Sequence, residues 1–452
     1  MSNSDIRVRI PPSPTGYCHV GTARTALLNF LFARKNSGRL ILRIEDTDKE
    51  RSTPEFEKDI IDSITWLGIE WDEFYRQSER MDIYKEKLHA LIDSRKAYLS
   101  EEESKKEAGK ITKVVRLKNP GSAVTFNDLV RGDISFDTKE LGDFVIARNI
   151  DEPLYHFAVV VDDEEMHISH VIRGEDHISN TPRQILIQEA FGFKRPQYAH
   201  FPLNLAQDRS KLSKRKGDVS VRSYREKGYL PEALLNYLAV IGWTPPSGKE
   251  ILSLEEMIKE FDISGIHKSG SVFDIDKLRW FNRHYLLAMP NEKFGETAIE
   301  ILKEGISGRG LEWSDSIGLL LVPIIRERIS VWDDLRELIR NGEFDFFFAD
   351  PRLSAVEIPD KKSSTDIALK HLNALNELLS AIPLESFKDA ETIKNAIWEM
   401  ATKEGRAAVL WPFRYSLTGR TYSPDPFIVA AIIGKESTLK RVEGAISILR
   451  GV

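Results

Sequence analysis

Cysteine is nearly absent from this sequence of 452 residues: only Cys18 is present. One thiol excludes an internal disulfide framework and a cysteine-rich zinc site, and it fits a reducing cytoplasm. His19 is its neighbour, but adjacent side chains seldom face each other, so Cys18 reads as a small apolar side chain and not as a nucleophile. Long apolar runs are absent too. The longest, Phe427 to Ile433, has seven residues, far short of the roughly 20 that span a bilayer. Met1 to Asp5 is polar and a strand follows, so neither a secretory leader nor a membrane partner is expected. A dominant charge is missing as well: the net charge is −6. That value does not announce a nucleic-acid partner, and it leaves room for a local basic patch. There is no internal repeat and no low-complexity tract. At this length one core is insufficient, and two to five structural units are expected.

The patterning that is present begins as α/β. Ile6 to Pro11 alternates like a short strand, Thr22 to Lys35 has helical spacing, and Leu40 to Ile44 is a second apolar strand ending in Glu45-Asp46-Thr47-Asp48. Ser52 and Thr53 before Pro54 mark a helix start. Strand and helix in alternation predict a parallel sheet with covered faces and functional groups at the carboxyl ends of its strands. After Tyr98 the pattern changes. Glu101 to Lys113 is charged, Lys118-Asn119-Pro120-Gly121 is a turn, and Val124 to Val145 has the short runs of a β-rich insert. Leu154 to Val161 and then Ile168 to Arg173 read as the returning strands of the parallel sheet. From Ser220 onward helical periodicity dominates, with segments at Pro231 to Ile241, Leu254 to Phe261, Asp276 to Leu287, Asp315 to Arg328, Thr365 to Ile382 and Lys435 to Leu449.

Two motifs carry chemistry. Pro12-Ser13-Pro14-Thr15-Gly16-Tyr17-Cys18-His19-Val20-Gly21-Thr22 puts a histidine and a glycine where a loop enters a helix. Lys211-Leu212-Ser213-Lys214-Arg215-Lys216-Gly217 closes a segment, Arg209 to Lys216, with five cations in eight residues and no acid. A run of cations is ordinarily a solvated face; the interleaved serines and the following glycine favour a phosphate loop. Together the two motifs make a clamp for a nucleoside triphosphate, one half at a helix N-terminus and the other neutralising phosphate charge.

With Arg43-Ile44-Glu45-Asp46-Thr47-Asp48, Val171-Ile172-Arg173-Gly174-Glu175-Asp176-His177 and Phe273-Asp274 through Asn282, these motifs make the chain resemble the class I aminoacyl-tRNA synthetases, in particular the bacterial glutamyl-tRNA synthetases, over nearly its whole length. His19-Val20-Gly21-Thr22 stands in for the family's His-Ile-Gly-His motif. The resemblance implies a Rossmann-like parallel-sheet catalytic domain with a small α/β insertion, followed by all-α anticodon-binding bundles. The implied boundaries are 1–96 and 151–219 for the catalytic domain, 97–150 for a shortened insertion that meets the tRNA acceptor end, 220–312 for a helical stem-contact domain, and 313–370 and 371–452 for the two anticodon-binding parts.

The resemblance also implies roles for single residues. His19, Lys211 and Lys214 would be catalytic. Together with Gly21, Thr22, Asp176, His177, Leu203, Asn204 and Ser213 they would bind ATP. Arg9, Ser13, Glu45, Tyr155 and Arg173 would bind glutamate, arginine being the natural reader of a carboxylate and Glu45 meeting the ammonium. Mg2+ is expected with the triphosphate, held largely by phosphate oxygens and water. No metal site of the protein's own is expected; the acid pairs Asp46–Asp48 and Asp162–Asp163 lack histidine or cysteine partners. The expected partners are glutamate, ATP and tRNA-Glu, with tRNA-Gln as a possible second tRNA, and the expected state is a cytoplasmic monomer.

The chain departs from the family at the insertion, where the cysteine-bearing segment is missing, and at Cys18, where leucine is usual. A glutamate-activating tRNA-modifying paralogue would lack the C-terminal part, a glutaminyl enzyme would have a β-rich one, and a non-catalytic RNA-binding derivative would show decay at His19, Lys211 or Lys214. Residues 321–452 hold 18 Lys/Arg against 19 Asp/Glu, so RNA contact there would use selected cations. The candidates are Arg326, Arg328, Arg414, Arg420, Lys435, Lys440 and Arg441.

Overall fold

Strands buried on both faces belong in the middle of a layered sheet, and Val8, Ile10, Leu40, Leu42 and Ile44 are fully buried beside the equally buried Arg9 and Arg43. The computed structural model describes residues 6–103, 111–210, 212 and 219–451. Two units pack separately, Met1–Tyr285 and Leu286–Val452. The first runs β1 (Arg7–Ile10), α1 (Val20–Lys35), β2 (Arg39–Ile44), α2 (Pro54–Trp66), β3 (Glu73–Arg76) and α3 (Met81–Asp93). Then come β4 (Ala97–Glu103), β5 (Ile111–Leu117), β6 (Ala123–Asp128), β7 (Gly132–Asp137), β8 (Phe144–Asn149) and β9 (Glu152–Pro153). They lead to α4 (Tyr155–Glu165), β10 (His170–Gly174), α5 (Thr181–Phe191), β11 (Gln197–Phe201) and β12 (Asn204–Leu205). After these follow α6 (Val221–Glu226), α7 (Pro231–Val240), α8 (Leu254–Glu260), β13 (Ser271–Val272) and α9 (Ile275–Ala288), within which the division between the units falls.

β1, β2 and β3 pair in parallel, as do β10 and β11. The two groups meet where the Ser169 N–H donates to the Arg7 carbonyl at 2.9 Å, just before β10. The strand order β3-β2-β1-β10-β11 reverses direction of progress between β1 and β10, the kind of crevice where open α/β sheets bind ligands. β6 adds to β11 through Tyr198 and Asp128 and forms an antiparallel hairpin with β7. β4, β5, β8 and β9 form a separate antiparallel sheet.

One expectation fails here. Leu154 to Val161, read as a returning strand, is instead most of α4. A short apolar run cannot separate a strand from a buried helix by periodicity, and Phe157 through Asp163 are all buried because the helix is covered on nearly every side. The β3 strand carried no apolar run and escaped the sequence reading; its residues are all partly exposed.

In the second unit, α10 (Asn291–Gly308) packs on α11 (Asp315–Arg328) and α12 (Trp332–Arg340). The short α13 (Asp345–Phe348) precedes α14 (Thr365–Ala381), α15 (Ala390–Glu404), α16 (Arg406–Thr418) and α17 (Pro426–Arg450). α17 breaks at Gly434, whose φ of 82° is left-handed, so its continuous part begins at Lys435 as the sequence predicts. Arg441 is buried and donates to the carbonyls of Phe346, Leu417 and Ala349. It closes helix ends inside the fold, which removes it as an RNA contact. Arg326, Arg414, Arg420 and Lys435 likewise each donate to main-chain carbonyls of their own unit.

Candidate active site

The helix α1 starts abruptly at a polar cap. His19 has extended backbone and its Nδ1 accepts from the Gly21 N–H at 2.9 Å. An accepting Nδ1 carries no proton, so a neutral His19 holds its proton on Nε2, as a donor. A Cβ at Gly21 would lie 3.2 Å from that Nδ1, so glycine is what lets the imidazole fold back over the helix end. The first turn of α1 carries no acid, whereas the first turn of α2 carries Glu55 and Glu57. The positive end of the α1 dipole is thus left uncompensated, the usual condition for receiving an anion.

That end opens on a cavity of about 400 Å³. Its walls bring together Arg9, Ser13, His19, Gly21, Thr22, Glu45, Tyr155, Arg173, Asp176, His177, Leu203 and Asn204, every sequence-predicted site residue within the described part of the chain. Lys211, Ser213 and Lys214 lie outside the described residues. Of the neighbouring described residues, Leu212, on the cavity wall, donates its N–H to the Asn204 carbonyl at 3.2 Å, and Val20 donates to the Val219 carbonyl at 2.8 Å.

The polar groups fall into two sets. Arg9, at the end of β1, binds Asp163 through Nε at 3.2 Å and Nη2 at 3.4 Å. Arg43 bridges Asp163 at 2.8 Å and Glu45 at 2.9 Å. Burial pushes the Asp163 carboxyl up, but Arg9 and Arg43 overcome it and hold it below the usual range. Glu45 comes out the other way: burial outweighs Arg43 and Arg9 and raises it to about 7. Asp162 is consumed by Gln77, Arg80 and Tyr84, each at 2.8 Å. The Asp162–Asp163 pair is therefore a counterion for arginines and not a metal site.

Arg173 forms the second set. Its Nε–H donates to His200 Nε2 at 3.0 Å and its Nη2 to Thr181 and Gln184 at 2.9 and 2.8 Å. Burial lowers its pKa. Tyr155 Oη and His177 Nδ1 lie 3.2 Å apart, and burial, then Arg173, pull His177 down to about 4, so it is neutral at physiological pH. What matters most is what remains open: the buried Nη1 atoms of Arg9 and Arg173 have no hydrogen-bond partner among the described residues. Buried unpaired guanidinium nitrogens are costly, and a bound carboxylate would satisfy them.

Sequence reasoning missed Arg24, Asp163 and His200. Arg24 sits on α1, lines the cavity, and donates through Nη1 to the Pro202 carbonyl and Asn204 Oδ1, both at 2.8 Å. Burial lowers it to about 10. On a helix such a residue reads as a surface cation; its burial depends on elements far along the chain. His200 and Asp163 support the arginines from behind; the sequence marks Asp163 only as half of an acid pair, and no local pattern marks His200.

The comparisons with known proteins agree with this geometry. A family model described as "tRNA synthetases class I (E and Q), catalytic domain" matches residues 5–106 and 99–280, and one described as "Anticodon binding domain" matches residues 276–446. The glutamate–tRNA ligase of Aquifex aeolicus (strain VF5) is 41% identical over 481 residues, covering 97% of this chain and 98% of that protein. The glutamate–tRNA ligase of Hydrogenobaculum sp. (strain Y04AAS1) is 42% identical over 472 residues, covering 97% and 99%. Among solved structures, the crystal structure of a glutamate tRNA ligase from Elizabethkingia meningosepticum CCUG26117 in complex with its amino acid matches with a TM-score of 0.85 at 33% identity, covering 98% of this chain and 99% of that one. With its cavity at the switch point of a parallel sheet and helices throughout its second unit, the chain belongs to the glutamate–tRNA ligase family of the class I tRNA synthetases.

Proposed function

We propose that this protein joins L-glutamate to tRNA-Glu at the expense of ATP. The observation that carries the reading is the unpartnered Nη1 of Arg9 and of Arg173 in one cavity with the carboxylate of Glu45, while Arg24, with unpartnered Nε and Nη2, lines the cavity beside Pro202 and Asn204. Two cationic readers and one anion match a substrate with two carboxylates and one ammonium. In the first step a glutamate carboxylate oxygen attacks the α-phosphorus of ATP, the bond to the bridging oxygen breaks, and pyrophosphate leaves with the electron pair. In the second a terminal ribose hydroxyl of the tRNA attacks the carbonyl of the mixed anhydride, AMP leaves, and the hydroxyl proton is lost.

The enzyme's part is alignment and charge neutralisation. His19, through Nε2–H, and the Gly21–Thr22 amides receive phosphate oxygens at the α1 terminus. Asp176, His177, Leu203 and Asn204 hold the adenosine. Lys211 and Lys214, with Ser213 between them, neutralise the departing pyrophosphate. Ser13 and Tyr155 complete the glutamate pocket. Mg2+ enters as a complex with ATP, on phosphate oxygens and water; the described residues offer no cluster of three or more acids, histidines or cysteines to cage it. Residues 97–150 meet the acceptor end, 220–312 the stem, and 313–370 and 371–452 the anticodon. The protein works as a monomer in the cytoplasm; no helix among its described residues is long and apolar enough to cross a membrane.

The test is transfer of radiolabelled glutamate, with ATP and Mg2+, to purified tRNA-Glu and tRNA-Gln transcripts, with labelled glutamine as control. Charging of tRNA-Glu alone is the expected result. Charging of both would extend the substrate to tRNA-Gln, and charging of neither by folded protein would overturn the reading.

A further inference from the structure

The turn that joins β6 to β7 reaches the cavity's two halves by separate routes. Asp128, the last residue of β6, is buried to 1% exposure. Its Oδ1 accepts from the Val130 and Arg131 N–H groups at 3.0 and 2.9 Å, which fixes the turn, and its carboxylate also accepts the His200 N–H. Asp128 Oδ2 lies 2.6 Å from His200 Nδ1. On the far side of the ring, Arg173 Nε–H donates to His200 Nε2. An arginine can only donate. His200 Nε2 must therefore carry a lone pair, and the ring proton must sit on Nδ1, where it donates to Asp128. Burial keeps His200 from protonating, and it favours the neutral ring that this arrangement needs. Three residues later in the chain, Arg131 binds Glu175 through Nη2 and the His200 carbonyl through Nε. Glu175 in turn accepts the N–H of Leu203, on the nucleotide side of the cavity, at 3.0 Å.

We propose that this turn aligns both substrates through two arms that share the turn but end on different groups: Asp128 fixes the His200 tautomer that orients Arg173 for glutamate, and Arg131 acts through Glu175 to set the Leu203 backbone for the adenosine. Neither residue lines the cavity; both are positioning residues. The inference rests on the proposed glutamate and ATP subsites, but its geometry does not. In the first arm, asparagine at position 128 can keep the turn through its oxygen. It then presents an NH₂ to His200 Nδ1, which drives the proton to Nε2 and sets it against Arg173 Nε–H. In the second arm, removal of the Arg131 side chain frees Glu175 and takes a donor from the His200 carbonyl, but leaves His200 Nδ1 on Asp128.

The test is ATP–pyrophosphate exchange in the presence of tRNA-Glu, on the full chain. Asp128→Asn is expected to raise KM for glutamate about tenfold and leave KM for ATP within twofold. Arg131→Ala is expected to show the reverse split, with Arg131→Lys in between. Adding His200→Gln restores an acceptor for Arg173 whatever stands at 128, so the Asp128→Asn cost should shrink in the double variant. ¹⁵N-histidine spectra read the first arm without any substrate: His200 should be protonated on Nδ1 in the wild type and on Nε2 in Asp128→Asn. Equal rises in both KM values, or a fall in kcat alone, would reduce the turn to a structural brace and overturn the proposal, as would an unchanged His200 tautomer. If Asp128→Asn does not fold, the split in Arg131→Ala decides. Wild-type protein with no exchange at all, but with the Nδ1 tautomer and its switch intact, would count against the glutamate reading and leave the alignment geometry standing.

Discussion

At the scale of single residues the site is a set of charges held at a cost. Glu45 is raised from 4.5 to about 7 because burial outweighs two neighbouring arginines. The sign follows directly. Above pH 7 the group is an anion that can meet an ammonium, and below it the group is neutral. KM for glutamate is therefore expected to rise about tenfold per pH unit once the pH falls well below 7, with Glu45→Gln showing a high KM that no longer changes over pH 6–8; initial-rate kinetics across that range check it. The same raised value works against folding: ionising the carboxyl costs nothing below its unfolded value and progressively more between pH 4.5 and 7. His19→Ala and Lys214→Ala remove the donors that the proposed mechanism sets on developing phosphate charge. Each is expected to lower kcat for activation about 10²–10³-fold, about 2.7–4 kcal/mol. A pyrophosphate-exchange rate within threefold of wild type in either variant would mean that the assignment of these donors is wrong.

At the scale of elements, close packing between helices decides what substitutions do. In the second unit Gly305 on α10 faces α12, and a Cβ there would lie 2.6 Å from Ile339 Cγ2. Alanine is the better helix former by about 1 kcal/mol, but overpacking a close helix contact costs about 1–3 kcal/mol. The clash wins, and Gly305→Ala is expected to lower the denaturation midpoint. Gly308, on the same helix, has nothing within 4 Å of a built Cβ. There only the propensity term remains, so Gly308→Ala is expected to add up to about 1 kcal/mol of stability and so raise the midpoint. Urea titrations followed by circular dichroism would separate the two, and a matching sign in both variants would contradict the packing account. The α4 segment belongs to this scale as well. Its apolar run reads as a strand, and it becomes a helix because the walls around it bury every side, a fact no window of eleven residues contains.

At the scale of the whole molecule, the cavity residues all lie in the first of two units, Met1–Tyr285 and Leu286–Val452. Thermal unfolding should then depart from a single two-state transition. ATP with glutamate, each at about 100 times its Kd, should stabilise only the first unit, by about 2.7 kcal/mol for each independent site. Calorimetry with and without ligands, assigned by hydrogen exchange, tests this; equal shifts of every transition would contradict it. The sequence by itself determined the parallel α/β start, the helical second half and the residue types of the cavity, because polar motifs at strand ends and helical periodicity are local signals carried within a few residues. It located Arg9, His19, Glu45 and Arg173 for the same reason. Only the tertiary structure decided that Asp163 stands between Arg9 and Arg43, that His200 and Asp128 hold Arg173, and that Arg24 faces inward while Arg441 is locked away from RNA. Those facts depend on burial and on partners more than 100 residues away for Arg9 and Arg24. Charge, once removed from water, goes wherever a counterion is found in space, and the order of the chain does not record that distance.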